Sequence, residues 1–205
     1  RVGSPQGVLR IGTMESTAAA RLPPILAAYH AAWPHVRIEL VTGTSGALAA
    51  MVRNYEIEAA FVAQPFPSNG LAAVDAFKEE LALISPLAWD PTQSAKDLGD
   101  RTVIAFAAGC SYRRILESWL NHEGVAPAKV MEFASYHAIV ACVAAGSGVA
   151  IVPRSVLAVL GAEHTVRIGA LSGTHARALT QLVWRADDDT PALQALRRQL
   201  TPPQD

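Results

Sequence analysis

Hydroxyl-bearing residues recur in this chain just after short apolar runs. Thr13, Ser16 and Thr17 follow "VLRIG", Thr44 and Ser45 follow "VRIELVTG", Ser111 and Tyr112 follow "TVIAFAAGC", and Ser135 and Tyr136 follow "KVMEFA". Two chemistries use such placement. A helix opening at each point presents free N–H groups and the positive end of its dipole, so several openings aimed at one place would hold a carboxylate or small oxyanion. Alternatively, Ser111 or Cys110 could be a nucleophile on a bend, which requires a base within hydrogen-bond reach and a third group to orient it. His137 is the only histidine near a strand end of the same half, and no G-x-S-x-G elbow surrounds Ser111. Any one hydroxyl can serve merely to cap its own helix. Four groups at matching strand ends favour binding without turnover, and His137 reads as a first-turn residue or a ligand contact.

The stretch "FAAGCSYRRILESWL" carries this question in concentrated form. Ile115, Leu116, Trp119 and Leu120 share one helical face, which leaves Arg113, Arg114 and Glu117 on others. Arginines in a first turn oppose the helix dipole. Either an anion compensates them, or they are solvated or paired with another segment.

The elements that must position these groups alternate. "VLRIG" predicts a strand, with Ser16 or Thr17 capping the helix after it; Leu22, Ile25, Leu26, Tyr29 and Trp33 keep helical spacing. Pro23 and Pro24 predict a kink or break in that helix, and Pro34 ends it. Val36–Gly43 predicts a strand, Gly43–Gly46 a turn, "ALAAMVRNY" a short helix and Ala59–Ala63 a strand. The rhythm returns with strands at Thr102–Phe106, Lys129–Phe133 and Val149–Pro153, and with helices at Ser111–His122 and Tyr136–Ala145. "GSG" at 146–148 reads as the turn that ends the second of these helices. "EELALISPLAW" lies between the two repeats, and "TVRIGAL", "ALTQLVWRAD" and a helix over Pro191–Leu200 follow the second. Repeated β-α-β order builds parallel sheets through right-handed crossovers. The fold class expected is α/β, with two Rossmann-like lobes joined by two crossover strands. Lobe I spans 1–82 and 173–205, and lobe II spans 83–172. Ligands of open α/β sheets bind beyond the carboxyl ends of the parallel strands, so a cleft between two such edges is the expected site.

Composition removes other classes. Of 205 residues, 51% are apolar and 17% charged, which suits a folded domain and not a disordered one. A formal charge of −1 offers no field for a polyanion, so this segment is not expected to bind DNA by itself. Cys110 and Cys142 lack C-x-x-C spacing, which argues against a disulfide framework or a zinc site and for a reducing compartment. Glu56, Glu58 and Asp187–Asp189 read as solvated acidic residues, not metal ligands. With neither a P-loop nor a G-x-G-x-x-G helix opening, no nucleotide is expected, and no cofactor or metal. No apolar run approaches the ~20 residues that cross a bilayer, and no signal-peptide layout is visible, so a cytoplasmic protein without membrane contact is expected.

Several stretches, in order, resemble the effector-binding domain of LysR-type transcriptional regulators, which has the type 2 periplasmic-binding-protein fold. They are "LRIG" with the interrupted helix ending at Trp33-Pro34, "VRIELVTGTSGAL", "IEAAFVAQP", "ELALISP", "FAAGCSYRRILESWL", "VACVAAGSGVAIVP" and "LTQLVWR". The resemblance covers nearly the whole chain. It implies a small-molecule effector bound between the lobes by Thr13, Ser16, Thr44, Ser45, Phe61, Ala63, Ser111, Tyr112, Ser135 and Tyr136. It also implies homodimers or homotetramers, and DNA contact only through an N-terminal helix-turn-helix absent from this chain. Two positions depart from the family. Tyr55-Glu56-Ile57-Glu58 stands where Gly-x-Leu-Asp is usual, so the turn must form without glycine's freedom at positive φ. Ala63 stands where members that bind aromatic acids place an arginine. A free-standing solute-binding protein of a transporter and an enzyme acting at Ser111 or Cys110 are the rival readings.

Overall fold

Leu9 and Ile11 alternate with Val8 and Arg10, and Gly7–Thr13 forms a strand (β1) that buries the first pair and exposes the second. In the computed structural model, which describes residues 3–89, 94–171 and 173–200, the chain divides into two units. Unit 1 is Arg1–Lys78 with Leu179–Asp205, and unit 2 is Glu79–Ala178. Both passages between units fall inside strands, one in β4 (Leu71–Pro86) and one in β9 (Arg177–Arg185).

In unit 1, β1 lies between β2 (Val36–Thr42) and β3 (Ala59–Ala63), parallel to both; β9 joins β3 antiparallel, and the first part of β4 follows β9. One sheet face is covered by α2 (Leu22–Ala32) and α7 (Pro191–Gln199), where Tyr29, Phe61, Phe77, Leu182 and Leu193 form the core. On the other face α3 (Ser45–Arg53) packs Leu48 and Val52 against Val62 and Val183. All five residues of β3 are buried, as a strand covered on both faces must be.

Two local expectations are corrected here. The helix after β1 is α1 (Glu15–Ala20); its N-cap is Met14, without a side-chain bond, and Ser16 and Thr17 lie inside the helix, buried, so they are not caps. Pro23 and Pro24 do not interrupt a helix interior. The break falls at Arg21 and the prolines occupy the first turn of α2, where a missing N–H costs nothing.

In unit 2, β5 (Thr102–Phe106) pairs parallel with β6 (Lys129–Phe133). The later part of β4 pairs antiparallel with β7 (Ala150–Pro153) and β8 (Val166–Ala170). The two groups meet through a parallel bridge between Val103 and Val149. Gly148 permits this approach, because a Cβ there would lie 2.4 Å from the Thr102 carbonyl oxygen. Helices α4 (Ser111–His122) and α5 (Tyr136–Ala144) pack on these strands, and α6 (Arg154–Leu160), which the sequence reading did not separate, follows β7 directly. Among the described residues no helix is long and apolar enough to cross a membrane.

Candidate functional site

Strand-end residues cluster in each unit. In unit 1, Ser45 at the start of α3 is fully buried, and its Oγ accepts the Ala63 N–H at 3.1 Å and donates to Met14 Sδ at 3.2 Å. Thr13 Oγ1 donates to the Met14 carbonyl at 3.0 Å, and the Met14 N–H reaches the Phe61 carbonyl at 3.4 Å. The ends of β1 and β3 and the start of α3 are thus laced around Met14, a residue the hydroxyl pattern did not single out. Thr44 caps α3 by accepting the Ala47 N–H at 3.4 Å. The Phe61 ring lies in the core, stacked on Phe77 at 6.0 Å between centroids.

Three buried hydroxyls of this unit, on Ser16, Thr17 and Thr180, have no hydrogen-bond partner among the described residues. Such groups cost about 1–3 kcal/mol each while unpaired. Thr180 stands opposite Ala63 in the β3–β9 ladder, at the carboxyl end of β3. It was missed because it sits mid-strand in "ALTQLVWR", where only the pairing register reveals its neighbour.

In unit 2 the beginnings of α4 and α5 converge. Cys110, the N-cap of α4, makes no side-chain capping bond; its Sγ lies 3.6 Å from the hydroxyl of Tyr136, the first residue of α5. Ser135 caps α5 through the Ala138 N–H at 3.4 Å. Phe106 stacks on Tyr136 at 5.1 Å, and Tyr112 meets the same ring edge-on at 6.1 Å. Ser111 is fully buried and His137 exposed. Two helix beginnings held together by aromatic packing make a locally positive, hydrogen-bonding surface for a polar or anionic group.

The arginine question resolves toward pairing for Arg113. Its guanidinium donates to the Phe106 carbonyl at 3.1 Å, to Glu117 at 2.9 Å and to Glu132. Hydrogen bonds to Glu117 and Glu132 raise its pKa further. The acidic residues also depart from expectation: Asp188 is not solvated, being only 9% exposed and paired with Arg185 at 2.6 Å. Among the described residues no cluster of three metal-ligating side chains occurs.

Residues 3–202 match the family model described as the LysR substrate binding domain, and the chain belongs to that family. It is 37% identical over 193 residues to the HTH-type transcriptional regulator GltR of Bacillus subtilis (strain 168), covering 94% of this chain and 65% of that protein. It is 37% identical over 184 residues to the HTH-type transcriptional regulator SoxR of Arthrobacter sp. (strain TE1826), covering 90% and 62%. The chain therefore spans under two thirds of the length of these relatives. Its fold is the two-lobed α/β architecture of LysR effector-binding domains. The Synechocystis PCC6803 CcmR regulatory domain in complex with 2-PG superposes with a TM-score of 0.81 at 19% identity, covering 96% of this chain and 99% of that one. The effector binding domain of QuiR in complex with shikimate gives 0.80 at 15%, covering 95% of each.

Proposed function

We propose that this domain senses a small polar or anionic effector and passes its occupancy to DNA-reading parts of a longer, cytoplasmic, homodimeric or homotetrameric transcriptional regulator. The candidate contacts are Thr13, Ser16, Thr44, Ser45, Phe61 and Ala63 in unit 1, and Ser111, Tyr112, Ser135 and Tyr136 in unit 2. Binding makes and breaks no covalent bond, and no cofactor takes part.

The observation that carries this reading is the set of buried hydroxyls without partners in unit 1, on Ser16 and Thr17 of α1 and Thr180 of β9, together with the paired beginnings of α4 and α5 in unit 2. A ligand that pairs with Ser16 recovers energy that the folded chain alone forgoes. Ala63 removes the direct guanidinium contact at the end of β3, so hydroxyls and backbone N–H groups do the recognition. Signalling requires that the effector bind one arrangement of the domain more tightly than another, a coupling typically of about 1–3 kcal/mol. The relatives named as transcriptional regulators and the neighbours holding shikimate and 2-PG support this over a free-standing solute-binding protein of a transporter.

The test is isothermal titration of a panel of small hydroxylated and phosphorylated carboxylates, shikimate and 2-PG among them, into the wild-type domain and into Ser16→Ala and Ser111→Ala. The reading expects a compound whose affinity falls about tenfold in each variant, the loss of one good hydrogen bond. Unchanged affinity in both, or turnover that Ser111→Ala abolishes, would count against it.

A further inference from the structure

Between α7 and the first part of β4, within unit 1, runs a groove of about 550 Å³. That volume falls within the ~300–1,000 Å³ usual for small-molecule sites. Val74 and Trp184 give it an apolar side; Gln194, Arg197 and Arg198 of α7 give it a polar one, with Asp189 at the rim. None of these residues belongs to the strand-end clusters.

The Arg197 guanidinium lies over the Trp184 indole, 4.1 Å from the ring centroid. A guanidinium held against an aromatic face keeps its N–H donors directed outward in its own plane. Its nearest carboxylate, Asp189, is 72% exposed and stands 3.6 Å away, beyond hydrogen-bond length. Arg198 is exposed and has no ion pair among the described residues. Cations near a helix C-terminus commonly serve the dipole, but the dipole explains neither the indole beneath Arg197 nor the groove beside it. Positive charge thus exceeds negative along an apolar wall.

We infer that this groove is a second ligand site, specific for a small organic carboxylate with a flat apolar body. The carboxylate takes paired N–H donors of Arg197 in place of the loose contact with Asp189, Arg198 adds attraction, and the body lies along Val74. Guanidinium and carboxylate match two bonds to two, the geometry in which arginine recognises anions best.

The experiment titrates the domain with phenylacetate and with neutral phenylacetamide while following the Trp184 indole N–H by NMR, the signal being assigned through Trp184→Phe. Phenylacetate should move that signal saturably, and phenylacetamide should bind at least about tenfold more weakly. The double variant Arg197→Gln/Arg198→Gln, verified as folded by its melting curve, should also lose about tenfold or more. Ser111→Ala should leave the response intact, which separates this site from the strand-end clusters. An indole signal that stays fixed, equal binding of acid and amide, or full affinity in the double variant would overturn the inference.

Discussion

The Arg185 guanidinium sits over the Tyr55 ring, 4.3 Å from its centroid, while its Nη1 donates to the carbonyls of Val52 at 2.6 Å and Ile57 at 2.9 Å. Tyr55 has φ +62°, the single positive value at a non-glycine among the described residues. One side chain from β9 therefore stitches both ends of the turn that replaces the family's usual glycine. The left-handed conformation costs a non-glycine residue roughly 1–2 kcal/mol, and Arg185 offsets it. Arg185→Ala should destabilise unit 1 by about 2–4 kcal/mol, since it also leaves Asp188 buried without its cation. Tyr55→Gly should stay within about 1 kcal/mol of wild type, because relief of the backbone and loss of the ring contact oppose each other. Urea denaturation of both variants checks the pair.

Ser45→Ala removes the acceptor of the buried Ala63 N–H. The expected loss is about 1–3 kcal/mol, read from denaturant midpoints. Ser45→Cys, which restores a weak acceptor of similar size, should recover part of it.

Burial pushes the Tyr29 phenol up to about 12, with its hydroxyl donating to the Ala192 carbonyl at 2.9 Å. A raised folded-state pKa means the fold favours the protonated form. Its contribution is complete below the unfolded value, ~10, and disappears as pH rises through about 12. Tyr29→Phe should therefore be less stable than wild type at neutral pH, with the gap narrowing between these two values. Chemical denaturation of both proteins across that range measures it.

Arg113 is engaged by protein acceptors, the Phe106 carbonyl and the carboxylates of Glu117 and Glu132. Arg113→Gln should lower stability by about 1–2 kcal/mol through loss of bonds to Phe106 and two glutamates. Effector affinity should change less than threefold at saturating fold, and calorimetry beside a melting curve separates the two effects.

Strands with abrupt edges are legible in the sequence alone. Ala59–Ala63 and Thr102–Phe106 are apolar runs, Lys129–Phe133 is extended between breakers, and the helix over Ser111–His122 shows a clean stripe stopped by Gly124, whose φ is +70°. The start of β4 was not, because "LAAVDAFK" mixes alanines with charges and lacks the alternation that marks a half-buried strand. Nor was α6, where only Arg154 and Ser155 separate "VAIVP" from "VLAVL" and Pro153 itself serves as N-cap. At the site, the hydroxyls were legible as residue types at strand ends. Their partners were not: Ser45 to Ala63, Arg113 to Glu132 and Arg185 to Val52 are decided by which strands lie side by side. Local spacing carries no record of that.

The central claim is that a small polar or anionic effector is recognised by the hydroxyl-bearing residues that follow the strands. It is tested most directly by following backbone amide signals while the strongest binder from the calorimetric panel is titrated in. Signals from Thr13–Thr17 and from Ser111, Tyr112, Tyr136 and His137 should shift saturably. Shifts confined to other parts of the chain, with both clusters fixed at saturation, would contradict the account.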